Sequence, residues 1–155
     1  MKLAISNIAW RESEDHGIAA CLVAAGAEAI EVAPSRLHPD SASVEPAEAK
    51  SIRMLWASRG IPIVSMQSLL YGTPGAALFE SAVARNAMLA RLAAVIEFAG
   101  RLGCGPLVFG SPKNRLKGAL TFEEAMSESI PVFRWIGGCA AKAGCTFCIE
   151  ANAPG

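Results

Sequence analysis

The chain has only two histidines in 155 residues and no excess of either charge, fourteen basic side chains being matched by fourteen acidic ones. A duplex-binding domain needs a basic surplus to neutralise phosphates, so nucleic acid is disfavoured as a partner. No run of eighteen apolar residues occurs, and no membrane span is expected. Neither a G-x-G-x-x-G nor a Walker A sequence is present, and the turn Asn7-Ile8-Ala9-Trp10-Arg11 has no glycine with which to cradle a phosphate. The N-terminus turns polar at Ser6-Asn7, too early for a secretory segment, so the expected setting is cytoplasmic.

The five cysteines are an odd number without a framework spacing. Cys145 and Cys148 form a C-x-x-C, but zinc needs two further ligands, and His16 and His38 lie far upstream. Strand positions three apart also point to opposite faces, so these two thiols do not converge. They read as small buried thiols in a reducing compartment.

What the chain does have is apolar content: 52% of residues are hydrophobic and 18% charged. That balance suits strands buried on both faces of a parallel sheet. Five strand-like runs stand out: residues 2–6, 29–33, 62–67, 106–110 and 146–152. Helices are expected between them, from Asp15 to Ala25, Pro46 to Arg59, Leu78 to Leu102, and Phe122 to Lys142. Leu89, Leu92, Ile96 and Ala99 mark a core-facing stripe on the third. Thr121 and Glu124 form a capping box at the start of the fourth, and Pro131 predicts a kink or break inside it. The alternation implies right-handed crossovers and a parallel sheet, either doubly wound or barrel-forming. The long polar loops follow strands two to four, on the side where barrels build their sites.

Ile30-Glu31-Val32-Ala33-Pro34, Ser65-Met66-Gln67-Ser68-Leu69-Leu70-Tyr71-Gly72, Val108-Phe109-Gly110-Ser111-Pro112-Lys113-Asn114-Arg115 and Ile149-Glu150-Ala151-Asn152 occur in this order. Together they resemble the sugar phosphate isomerases/epimerases of the xylose-isomerase-like TIM barrel superfamily. The resemblance implies an α/β TIM (β/α)8 barrel of which only the first five strands and four helices are present. Residues 1–155 would then be the N-terminal part of one barrel domain, truncated after strand five. An eight-stranded barrel needs about 100 further residues.

The resemblance implies a divalent metal (manganese, magnesium, cobalt or zinc) with Glu150 as one ligand and the others from the missing C-terminal part. It also implies aldose–ketose isomerisation or epimerisation through an enediolate, with Glu150 moving a carbon-bound proton. A solitary chain of this length is expected to be poorly stable and inactive, its parallel edges unpaired.

The residues themselves name further candidates. Glu31 interrupts an apolar strand, so it either binds a substrate hydroxyl or pairs with a cation. Gln67 ends strand three, as ligand contact or loop tie. Lys113 and Arg115 follow strand four and suit a phosphate or carboxylate, or else form a solvated charge pair. Asn152 shares a side with Glu150 and suits a substrate hydroxyl or a loop cap. Asn7 closes strand one, and His38 lies in the loop after strand two. His16 reads as a cap or surface group. Trp10 is a wall for a sugar ring, whereas Trp56 and Trp135 read as packing residues. The substrate is expected to be a sugar or sugar phosphate, and a homo-oligomer is possible. Two rival readings remain: an endonuclease IV-like phosphodiesterase of the same superfamily, and a non-catalytic half-barrel that oligomerises.

Overall fold

The computed structural model describes residues 3–151. Five strands, β1 (Ala4–Ser6), β2 (Ala29–Val32), β3 (Ile63–Met66), β4 (Pro106–Phe109) and β5 (Thr146–Ile149), form one parallel sheet in the order β1-β2-β3-β4-β5. That order decides between the two parallel architectures. A doubly wound sheet reverses direction at a switch point, whereas here every strand is added on the same side of the last, as in a barrel wall. The protein is α/β, with the course of a TIM barrel over five strands.

The helices are α1 (Ile18–Ala24), α2 (Pro34–Leu37), α3 (Pro46–Ser58), α4 (Ala82–Leu102) and α5 (Phe122–Lys142). The four long ones match the four expected crossovers. Two starts differ from expectation. The first helix begins at Ile18, because Glu12–Glu14 forms a 3-10 turn and the Asp15 carboxylate is engaged by Trp10 and Arg36. The third begins at Ala82 instead of Leu78, where Ser81 Oγ caps the Ala84 N–H at 3.0 Å. Leu78 is instead buried in the preceding loop, its N–H donating to the Asn114 carbonyl at 2.8 Å. The short α2 lies within the loop after β2, with Pro34 at its first turn.

The core lies between the sheet and these helices. On α4 the buried stripe runs through Met88, Leu92, Val95, Ile96 and Ala99, while Leu89 sits half-buried at its margin. Of the expected kink or break at Pro131, the break does not occur, since α5 is continuous through it. The proline forfeits one backbone bond, and buried Ser129 and Val132 on either side hold the turn in place. Trp56 is buried as expected, but Trp135 is about half exposed on the outer face of α5 and is not a core residue. Among the described residues no helix is long and apolar enough to cross a membrane. The cysteines Cys145 and Cys148 are both free; Cys145 is buried as expected, whereas Cys148, within β5, is only half-buried.

Candidate functional site

The carboxyl ends of β3, β4 and β5 converge on a cavity of about 240 Å³ lined by Gln67, Tyr71, Gly110, Ser111, Lys113 and Glu150, among others. Glu150 follows β5, its N–H donating to the Phe109 carbonyl at 3.2 Å. This extends the β4–β5 ladder by one residue and sets the direction of the side chain. The carboxylate then folds over the next strand. A Cβ placed on Gly110 would lie only 1.8 Å from Glu150 Oε2 and 3.1 Å from its carboxyl carbon. Glycine at 110 therefore gives the carboxylate room to enter the cavity.

Two hydrogen bonds organise the inner side chains of the first three strands. Ser65 Oγ donates to Glu31 Oε1 at 3.1 Å between register partners of β3 and β2. Gln67 Nε2 donates to Ser6 Oγ at 2.9 Å, reaching from the end of β3 to the end of β1. A register shift between Ile30 and Glu31 precedes the first of these contacts, and such irregularities re-aim side chains beside sites. The other end of the Gln67 amide is also held, because Ser68 Oγ donates to Gln67 Oε1 at 2.6 Å. Ser68 has φ 55°, a left-handed conformation unusual for a residue with a Cβ.

The structure places the candidates differently. Gln67, Lys113 and Glu150 share the mouth cavity. Arg115 stands on the far side of Glu150, donating to its backbone carbonyl at 3.2 Å, with the guanidinium 5.4 Å from the Phe109 ring centre. Its Nε is buried without a hydrogen-bond partner. Glu31 is half-buried in the sheet face, and no cation pairs with it among the described residues.

Asn7 and His38 are engaged elsewhere. Asn7 is buried, and its Oδ1 accepts the Ala33 N–H at 2.8 Å, tying the end of β1 to that of β2. His38 sits beside α3, with Nδ1 at the Asp40 backbone and Nε2 3.8 Å from Glu48. Asn152 lies outside the described residues. Trp10 lines a neighbouring cavity together with Tyr71.

Sequence reasoning passed over several residues that build this site. Ser6, Ser65, Ser68 and Gly110 carry no distinctive pattern, since their partners are distant in the chain. Asn114 is buried and holds the loop before α4 through Ala76 and Leu78. Its position between Lys113 and Arg115 in a polar run was its only signal.

A family model described as xylose isomerase-like TIM barrel matches residues 19–155. The chain belongs to this family. Solved structures agree on the fold. D-psicose 3-epimerase from Clostridium cellulolyticum superposes with a TM-score of 0.73 at 14% identity, covering 97% of this chain and 52% of its own. For 3-keto-D-glucoside 4-epimerase from E. coli the TM-score is 0.71 at 14% identity, with 97% and 56% covered. An IOLI protein solved with a zinc atom gives 0.64 at 15%, covering 97% and 51%. The chain thus spans about half the length of these solved chains. No curated protein sequence matches it.

In a xylose isomerase-like barrel the site lies at the carboxyl ends of the strands, which is where the cavity opens. A hard divalent cation takes six or more ligands from oxygen atoms. Among the described residues no group of three His, Cys, Asp or Glu converges, and Glu150 is the one carboxylate lining the mouth cavity. These residues do not by themselves fit a complete metal site.

Proposed function

We propose that this chain forms one side of a sugar isomerase or epimerase site in which Glu150 moves the proton on the carbon beside the carbonyl. The observation that carries this reading is the Glu150 carboxylate, turned over Gly110 into a cavity that also presents Gln67 and Lys113. In the reaction the carboxylate accepts the carbon-bound proton. The C–H electron pair becomes a C=C bond and the carbonyl π pair moves onto oxygen, giving an enediolate. Return of the proton to the neighbouring carbon, with the hydroxyl proton of the other carbon passing to the former carbonyl oxygen as the new C=O forms, isomerises the sugar. Delivery to the opposite face epimerises it, and that requires a second acid.

The described residues place one carboxylate in the cavity, so full turnover needs groups beyond them, and this chain alone is expected to be inactive. The expected cofactor of the complete site is a divalent cation with Glu150 as one ligand. Gln67 and Glu31 are assigned to substrate hydroxyls. Lys113 has no ion-pair partner among the described residues and is assigned to an anionic group such as a phosphate.

D-Fructose and D-tagatose, the sugars named with related solved epimerases, are the first ligands to try. Saturation-transfer NMR on the 155-residue chain should show contact to their ring protons, reduced in the Gln67→Ala variant. Any exchange of the carbon-bound proton for solvent deuterium should vanish in Glu150→Gln. Absence of ketose contact, or exchange that survives Glu150→Gln, would overturn the reading.

A further inference from the structure

We infer that the mouth holds a second ring-binding subsite, so that the substrate is a glycoside of disaccharide size instead of a free monosaccharide. This rests on the reading of the Glu150 cavity as a sugar site. Next to that cavity lies a second of about 460 Å³, lined by Ile8, Trp10, Ser35, Arg36, Ser68 and Tyr71 among others. Ser68 and Tyr71 belong to the walls of both, so the two cavities adjoin along a shared wall. A single sugar in the cavity at Glu150 leaves the adjoining cavity unfilled.

The second cavity has the make-up of a ring platform. The Trp10 indole N–H donates to Asp15 Oδ1 at 2.6 Å, and Asp15 is held in turn by Arg36 at 3.2 Å. The ring is further backed by Trp56, with centres 6.4 Å apart. Its orientation is therefore set before any ligand arrives. Tyr71 and Ile8 are 72% and 58% exposed, an outlay of apolar surface that a bound ring would cover. Rigid aromatic faces with a few polar groups are what a sugar needs, since one face of a pyranose presents C–H bonds and its rim presents hydroxyls.

The polar groups are also present. Arg36 lines this wall, with one guanidinium nitrogen held on Asp15 Oδ1 at 3.2 Å. Ser35 offers a hydroxyl in the same wall. The ridge between the cavities is Ser68 itself, whose left-handed backbone is the one positive-φ non-glycine among the described residues. Such strain persists where the surroundings enforce it, and here its hydroxyl fixes the Gln67 amide on one side while its residue borders the ring platform on the other.

The test compares D-fructose with isomaltulose, a glucosyl-fructose, by NMR titration of the 155-residue chain. The disaccharide should bind roughly five-fold tighter, the increment expected of one ring stacked on an aromatic face. Ile8→Ala, which lines the second cavity and not the first, should bring the ratio of the two affinities toward one, whereas Tyr71→Ala, on the shared wall, should weaken both sugars and the disaccharide more. Both side chains are exposed, so neither change threatens folding, unlike removal of Trp10. If fructose binds and isomaltulose binds no tighter, the second subsite is refuted while the first reading stands. If neither sugar binds, both fall.

Discussion

The Glu150 carboxylate rests against the α-carbon of Gly110, close enough that a Cβ at residue 110 would lie 1.8 Å from Oε2. The colliding atom is the far end of a flexible side chain, so an added methyl displaces the carboxylate and leaves the backbone in place. Gly110→Ala should therefore keep stability within about 0.5 kcal/mol of the parent, as surface-type changes do. It should nevertheless weaken ketose contact and abolish whatever proton exchange Glu150 supports. Thermal unfolding and saturation-transfer NMR on the same sample separate the two effects. A folded Gly110→Ala protein with unchanged ketose contact and proton exchange would remove Gly110 from the site.

Asn7 is the candidate whose role the structure redirects most. Its buried amide oxygen accepts the Ala33 N–H at the point where the chain leaves β2. Asn7→Ala leaves that N–H without a partner, at a cost of about 1–3 kcal/mol. Asn7→Asp keeps the acceptor and should recover part of the loss. Urea midpoints of the two variants check this, and an Asn7→Ala protein of parental stability would return Asn7 to the list of ligand-binding residues.

The five strands and the four crossover helices could be read directly, because each strand is a short apolar run closed by Gly, Pro or a polar residue, but these runs left their order in the sheet open. Glu150 could be placed for a similar reason: it is the first charge after an apolar strand. What could not be read are the relationships that cross the sheet. Nothing local to Gly110 signals a carboxylate forty residues later, and nothing in Ser68 announces a left-handed backbone, since the usual markers are Gly, Asn or Asp. Pro131 does not break its helix, because tertiary packing of the 21 residues outweighs one lost bond. Trp135 misled because residue type alone does not reveal which face of α5 the sheet covers.

Helix α5 begins with a complete capping box. Thr121 Oγ1 accepts the Glu124 N–H at 3.2 Å, while Glu124 Oε2 accepts the Thr121 N–H at 2.8 Å. Thr121→Ala should cost about 1 kcal/mol. The box also carries a pH signature. Hydrogen bonds from the Thr121 backbone and then its hydroxyl hold the Glu124 carboxyl below its ordinary value. A carboxylate lowered in the folded state stabilises above its unfolded value, and that stabilisation fades as pH falls through the folded one. Urea midpoints taken from neutral pH into acid should therefore fall less steeply in Glu124→Gln than in the parent. Parallel curves would show that the box does not couple to pH.

The opposite sign applies at the other end of the scale, to the thiols buried between α4, β4 and β5. Burial pushes the Cys104 thiol up to about 12, with a further push from neighbouring Cys145. Cys145 is itself raised by burial, and its Sγ donates to the Cys104 carbonyl at 3.2 Å. An unfolded thiol ionises near 9, so between about 9 and 12 only the unfolded chain releases the Cys104 proton. Stability from this group is intact below that window and falls across it, by about 1.4 kcal/mol for each pH unit. Urea midpoints at pH 8, 9 and 10 should decline more in the parent than in Cys104→Ala, where the other alkaline groups titrate unchanged. A thiol-reactive dye should label exposed Cys21 at once and reach Cys104 only as the chain unfolds. Equal slopes in the two proteins, or fast labelling of Cys104 in native buffer, would mean that the thiol is reachable by water and that the sheet is not sealed against α4 at this point.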